Sequence, residues 1–449
     1  MKNIAIYGLA SPTSIGDALQ YWVLLDLLKK HVAHSKIALI CPELSDNIFV
    51  FGMEQILCDQ IFDMKIAYPF VLNRTHSFTK RQNPRMNYIT AEEMLSKNPH
   101  GKVIKRILEV ISRYIDTYGI DKIISTHYVK HSLFDAGLIG GHTATPEIRG
   151  YLLKYNLARS ITRGPLVMAP LSISTFTFDK LGHDNSAIQE LLLHKRLKNI
   201  LDKVEFVYAR GPLTYKILRE SIGIKDEKIK MAIDSGFGIK LLYDPKPNVI
   251  TRRNRPKIVI VPRKEYYIFY NKHDLYRRYV RSFSRFIQYL MKEEDSEIYL
   301  TSQTIYRNPA INDLVHFFQK SKISDHMNHL RVFEPRTIID LASLISKADL
   351  VITSYMHSGV MSLSYGVPTL FVLPYADTKV VDILMFLHLE TNKYLVDMFN
   401  TKSLDNDILE KGKTIFENKK NHYEKIITAI GNALPSLVHP VESLINLLE

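Results

Sequence analysis

The chain has 449 residues, and 59 Lys plus Arg against 46 Asp plus Glu leave a formal charge of +13. Hydrophobic residues at 46% and charged residues at 23% fit a folded protein with a core and exclude a disordered chain, while 19 Gly and 19 Pro are too few for a collagen-like one. Two cysteines, Cys41 and Cys58, cannot build a disulfide framework, so a reducing compartment is expected; no run reaches the ~20 apolar residues of a membrane span.

At about 150 residues per domain, this length suggests two or three domains. The first residues, MKNIAIYGLASPTS, carry one Lys and a very short apolar run and read as a first strand rather than a signal peptide, which makes a cytoplasmic protein the expectation. Buried strands are predicted at 3–8, 36–41, 121–126, 137–141, 165–171 and 205–210, with helical patterns at 17–30, 102–118, 147–159 and 186–201. The segment 60–100 is polar, aromatic and aperiodic and reads as an irregular insertion. After the polar stretch 244–256 the alternation resumes. Strands are predicted at 258–263, 297–302, 330–335, 349–354 and 368–374, separated by helices at 273–291, 308–320, 337–346 and 378–388.

Continuous apolar strands joined by helices indicate parallel sheets covered on both faces. The fold class is therefore α/β, with two Rossmann-like domains, 1–245 and 246–449, facing one another across a cleft, the second carrying C-terminal helices. Ligands of open α/β sheets bind beyond the carboxyl ends of the strands, so functional residues should follow strands and open helices.

The positive charge makes an anionic partner an expectation. In the helix at 273–291, Arg277, Arg281 and Arg285 recur every four residues beside Arg278, while Tyr276, Tyr279, Phe283, Phe286 and Leu290 take the opposite face. This is either a solvated basic face or a contact for anionic lipid headgroups or an acidic glycan carrier. Neither an aromatic RNA-binding motif nor zinc-finger spacing occurs, so nucleic acid is not expected.

Three places match the positional rule. The loop Gly8–Asp17 offers small residues before a helix start, which suits an anion or sugar hydroxyls but fits neither the dinucleotide fingerprint nor the P-loop; Asp17 is either an N-cap or a cleft-facing carboxylate. Arg210 ends a strand and precedes Gly211-Pro212-Leu213-Thr214, where a guanidinium can clamp phosphate or carboxylate or form a surface ion pair. His357 opens a helix of small residues in Val351–Pro368 and suits proton transfer or an anion contact, with a structural histidine as the competing reading. His127, His131 and His142 fit no zinc spacing.

In this order, Ser14-Ile15-Gly16-Asp17, Leu138–His142, Tyr208–Leu218, Asp234-Ser-Gly-Phe237 and Tyr355-Met356-His357 leading to Gly-Val-Pro368 resemble the polysaccharide pyruvyltransferase family over residues 3–390, and Tyr375…Lys379 resembles its closing segment. The resemblance implies a GT-B-like fold, with the acceptor on the first domain and the donor on the second. It implies transfer of pyruvate from phosphoenolpyruvate to two hydroxyls of a glycan sugar, lipid-linked or free, forming a ketal in cell-surface polysaccharide biosynthesis. No metal or further cofactor is expected. On this reading His357 and Asp17 are catalytic, Arg210, Arg263, Tyr355 and Ser358 bind the donor, and Ser14, Gly16 and His142 bind the acceptor.

Three features depart from the family pattern. The Asn often found earlier in the first loop is absent, and Ser174-Thr175 stand where relatives tend to have Gly-Pro. The family's Arg-X-His reads Tyr355-Met356-His357 here, which removes one bidentate anion ligand; Arg263, at the end of strand 258–263, is the candidate substitute. A nucleotide-sugar glycosyltransferase of the same architecture and a non-catalytic glycan- or lipid-binding relative are the competing readings.

Overall fold

The computed structural model describes residues 2–7, 15–32, 35–41, 60–63, 134–140, 143–144, 158–159, 162–173, 195, 197–245, 255–264, 273–303, 308–320, 328–373, 378–398 and 404–449. The strand predicted at 121–126 and the helix at 102–118 lie outside them, as do most of the helices predicted at 147–159 and 186–201.

The first sheet holds β1 (Asn3–Tyr7), β2 (Lys36–Cys41), β3 (Gln60–Asp63), β4 (Ala136–Ile139), β5 (Thr143–Ala144), β6 (Leu166–Ile173), β7 (Phe206–Ala209) and β8 (Ile229–Met231), in the order β3-β2-β1-β4-β6-β7-β8 with β5 beside β6. Its pairings are all parallel. Residues 60–63, read from sequence as the start of an irregular insertion, are instead the edge strand β3. Its short QIFD run has no periodicity, and β2 supplies its register, Ala38 facing Gln60.

The second sheet holds β9 (Lys257–Val261), β10 (Glu297–Thr301), β11 (Leu330–Phe333), β12 (Leu350–Thr353), β13 (Thr369–Leu373) and β14 (Leu395–Asp397), in the order β11-β10-β9-β12-β13-β14, again all parallel. The central strands β9, β12 and β13 are buried along nearly their whole length, as continuous apolar runs under helices on both faces require.

Among the described residues the α-helices with defined ends are α1 (Ile15–His31), α2 (Pro212–Lys216), α3 (Ile239–Leu242), α4 (His273–Lys292), α5 (Pro309–Lys320), α6 (Ile338–Ile345), α7 (Met356–Ser364), α8 (Thr378–Phe386), α9 (Thr391–Tyr394), α10 (Leu404–Glu417), α11 (Lys419–Ala433) and α12 (His439–Asn446). None is long and apolar enough to cross a membrane among the described residues.

Helix α1 is buried from Leu19 to Leu25 and again at Leu27 and Leu28, because it packs against α3, α12, α6 and α7 between the halves of the molecule, and its basic last turn, with Lys30 and His31, is exposed. Helix α4 turns Tyr276, Tyr279, Phe283, Phe286 and Leu290 inward and leaves Arg277, Arg278, Arg281 and Arg285 exposed, the division its 3.6-residue period requires.

The chain leaves the first sheet at Met231 and enters the second at Lys257, but its last helices return. Helix α12 packs on β4, β6 and β7. Tyr208 Oη donates to the His439 carbonyl at 2.9 Å and lies 2.6 Å from Ser443 Oγ. Side chains from both sheets therefore share one continuous core, in which Leu19, Trp22 and Tyr208 join Ile258, Val360 and Leu444. Burial of that extent couples the two halves at roughly 25 cal/mol per Å2 of apolar surface removed from water.

Candidate active site

Each sheet has one place where the chain reverses its direction of winding. In the first it lies between β1 and β4, which are adjacent although far apart in sequence; in the second it lies between β9 and β12. Loops leaving the carboxyl ends of strands at such a point part to opposite faces and open a crevice. In the first sheet, α1 follows β1 along the chain, and of the acceptor candidates only Gly16 falls among the described residues. Ser14 and His142 lie outside the described residues. Gly16 and Asp17 belong to the first turn of α1. Asp17 is the third residue of the helix rather than the residue before it, so it is not the N-cap.

Three neighbouring strands feed the second crossing. Beyond β9 stands Arg263, beyond β12 stand Ser354, Tyr355 and His357, and beyond β10 stand Ser302 and Gln303. The exits of β9 and β12 run side by side, with Ser354 N donating to the Val261 carbonyl at 2.9 Å. The Arg263 guanidinium lies over the Tyr355 ring, 4.5 Å from its centroid, and the Arg263 amide donates to Tyr279 Oη at 3.2 Å. Tyr279 Oη is 2.9 Å from Ser354 Oγ. Tyr355 is 5% exposed. Its own amide donates to Thr353 Oγ1 at 2.9 Å, and Thr353 Oγ1 donates to the Tyr355 carbonyl at 3.0 Å, which locks the turn. His357, partly exposed, is the second residue of α7.

Ser358 is fully buried, and its amide and hydroxyl both donate to Gln303 Oε1, at 2.9 and 2.8 Å. Gln303 thus caps α7 from a different strand and takes the N–H that the sequence offered to an anion. The helix sits close on its sheet because residue 359 is glycine: a Cβ there would meet Phe371 Cε1 at 2.0 Å.

Arg210 follows β7 as the sequence requires, but its surroundings are those of the interior. It is 1% exposed, and its Nε lies 2.6 Å from Oδ2 of Asp234, itself fully buried. Gln20 Nε2 donates to the same carboxylate oxygen at 2.6 Å, and Gly236 N donates to the other at 2.8 Å. Arg210 Nη1 donates to Ser172 Oγ at 3.2 Å and contacts Met356 Sδ at 3.5 Å. This replaces the surface ion pair considered from sequence by a buried one. It also places Arg210 against the turn that carries His357, so the carboxyl ends of the two sheets meet here.

The helix start beyond Arg210 is capped across the same seam. Asp382, on α8 of the second half and fully buried, accepts from Leu213 N at 2.7 Å, from Thr214 N at 3.1 Å and from Thr214 Oγ1. A Cβ at Gly211 would stand 2.5 Å from the Asp382 carbonyl oxygen, so only glycine fits. Burial pushes the Asp382 carboxyl above the usual carboxylate range, against the pull of its donors and of Arg210.

A separate cavity of about 750 Å3 opens behind this seam, lined by Met231, Met385, Phe386 and Leu389 with Glu424 and Lys425 at its edge. Its walls are mainly apolar. Among the described residues no cluster of three or more His, Cys, Asp or Glu could hold a metal ion.

Sequence reasoning did not pick out Gln303, Asp382 or Gln20, and it read Tyr279 only as part of the apolar face of its helix. Asp382 alone gave a signal, as a carboxylate among Val380, Ile383 and Leu384 on the buried side of α8.

Solved structures share the architecture. A UDP-GlcNAc 2-epimerase from Neisseria meningitidis, bound to UDP-GlcNAc, superposes with a TM-score of 0.53 at 14% identity, over 99% of this chain and 100% of that one. A Listeria monocytogenes protein described as a UDP-N-acetylglucosamine 2-epimerase gives 0.55 at 13% identity, over 95% and 90% of the two chains. The S. aureus MnaA–UDP structure gives 0.53 at 12% identity, over 95% and 91%. At these identities the likeness shows the fold alone, two parallel-sheet domains of the GT-B type. A comparison with curated proteins gives no match. The family model for polysaccharide pyruvyl transferase matches residues 15–377, from α1 through both crossings and the His357 turn, and the chain belongs to that transferase family.

Proposed function

We propose that the protein transfers the pyruvyl group of phosphoenolpyruvate to two hydroxyls of a glycan sugar, forming a cyclic ketal in cell-surface polysaccharide synthesis. The observation that carries this reading is the second crossing, where the guanidinium of Arg263 lies on the face of Tyr355 and a partly exposed histidine follows that tyrosine by two residues at a helix start. Phosphoenolpyruvate carries a carboxylate and a phosphate, so cations and oriented donors suffice to hold it.

The reaction adds one acceptor hydroxyl to C2 of the enol while C3 takes a proton and becomes a methyl group. The second hydroxyl then displaces phosphate from C2 with cleavage of the C–O bond; of the two hydroxyl protons, one balances the proton gained by C3 and the other leaves with the phosphate. We assign His357 as the acid that protonates C3 and Asp17, from the facing crossing, as the group that orients or deprotonates the acceptor. Arg263 contacts the donor directly. Arg210 bears on it through Met356, by fixing the turn from beneath. Ser358 serves in the same way, through Gln303. Ser14, Gly16 and His142 are assigned to the acceptor, and the exposed arginines of α4 are the candidate contact for an anionic membrane or carrier.

The likeness to enzymes solved with UDP-sugars favours one second reading, a nucleotide-sugar transferase in the same cleft. Thermal shift separates them. Phosphoenolpyruvate should raise the melting temperature and UDP-GlcNAc should not; the reverse result favours the second reading. With acceptor present, His357→Ala should abolish phosphate release from phosphoenolpyruvate, and undiminished release refutes its acid role.

A further inference from the structure

Tyr355 stands where the family resemblance calls for an arginine, and its surroundings give the substitution a purpose. Its ring is nearly buried, and its main chain is fixed by two hydrogen bonds with Thr353 Oγ1. Its face carries the Arg263 guanidinium at 4.5 Å. The residue before it, Ser354, reaches Tyr279 Oη, which accepts from the Arg263 amide. Arg263 is thus held at both ends by the β12 turn, its main chain through Tyr279 and its guanidinium through the ring. An arginine loses much of its rotamer freedom when it is fixed on a ligand. A platform that fixes it beforehand removes much of that cost from ligand binding.

We propose that Tyr355 is a positioning residue. It aims Arg263 at the carboxylate or phosphate of the donor and so restores, from β9, the guanidinium missing from residue 355. The proposal rests on the donor reading above and deepens it: the anion ligand has moved to the adjacent strand, and the aromatic side chain is the device that moved it.

The test is isothermal titration of the full-length protein with phosphoenolpyruvate, with inorganic phosphate as a second probe. Tyr355→Leu should weaken phosphoenolpyruvate binding about tenfold, in line with a desolvated cation–π contact. Tyr355→Phe, which keeps the ring, should recover what the leucine loses. Arg263→Ala should weaken binding strongly in the native background and much less in Tyr355→Leu. A purely structural tyrosine would leave the Arg263→Ala loss equal in both backgrounds, and that result overturns the proposal. The double variant Arg263→Ala with Tyr355→Arg, which relocates the guanidinium, should bind within a few-fold of the unaltered protein. Failure of that exchange while Arg263→Ala alone folds and loses affinity also overturns it, and the exchange decides the matter if Tyr355→Leu does not fold. If the unaltered protein binds neither probe, the donor reading itself falls.

Discussion

Asp382 offers the sharpest test of how the two halves are joined, because one carboxylate from α8 supplies the whole N-terminal cap of α2 on the other side of the seam. In Asp382→Ala the amides of Leu213 and Thr214 and the Thr214 hydroxyl lose their acceptor. Loss of a cap costs about 1 kcal/mol, and each donor left buried without a partner costs about 1–3 kcal/mol. Against this, the carboxylate's own desolvation is relieved, so the net loss should be about 2–4 kcal/mol. Asp382→Asn keeps one acceptor oxygen and should lose about 1–2 kcal/mol.

The two variants also differ in pH dependence. Burial raises the folded-state pKa of Asp382, so the native protein holds this proton to higher pH than the unfolded chain does. Its contribution therefore makes stability fall as pH rises from the ordinary carboxylate value to the raised folded value, and stay level above it. Asp382→Asn removes that slope. Urea denaturation followed by the fluorescence of the single tryptophan, Trp22, reads the effect directly, because Trp22 lies on the buried helix α1 between the halves. A loss below about 0.5 kcal/mol in Asp382→Ala, or an unchanged slope in Asp382→Asn, would refute the capping argument.

Two further outcomes follow from the same geometry. Replacing either Arg210 or Asp234 by a neutral residue leaves an uncompensated buried charge, and should cost about 3–5 kcal/mol in thermal or urea unfolding; replacing both by apolar residues should cost less than the sum, and strict additivity would contradict the pair. Gly359→Ala drives a Cβ into the Phe371 ring and should cost about 1–3 kcal/mol while lowering phosphoenolpyruvate affinity, because the same helix carries His357; unchanged melting would contradict the close packing.

The central strands were legible because strands covered on both faces must be apolar throughout, as in KIVIV of β9 and TLFVL of β13. Three of the four edge strands were not: β3, β8 and β14 are three or four residues long and carry charges, so only their neighbours reveal them. Arg210 and His357 could be nominated because a strand end before a helix start is a local pattern. What Arg210 does could not be read, since its partner Asp234 and that partner's second donor Gln20 come from distant elements brought together by the core. The caps follow the same logic. Sequence shows that α2 and α7 open without a capping side chain of their own, but Asp382 and Gln303 arrive through the tertiary fold.

Where the donor sits is measured most directly by a crystal or cryo-EM structure of the protein soaked with phosphoenolpyruvate. It should place the carboxylate or phosphate on Arg263 above Tyr355, with the enol carbon at His357. Phosphoenolpyruvate bound instead in the cavity between Met231 and Met385, or a site at Arg263 that takes only a nucleotide, would contradict it.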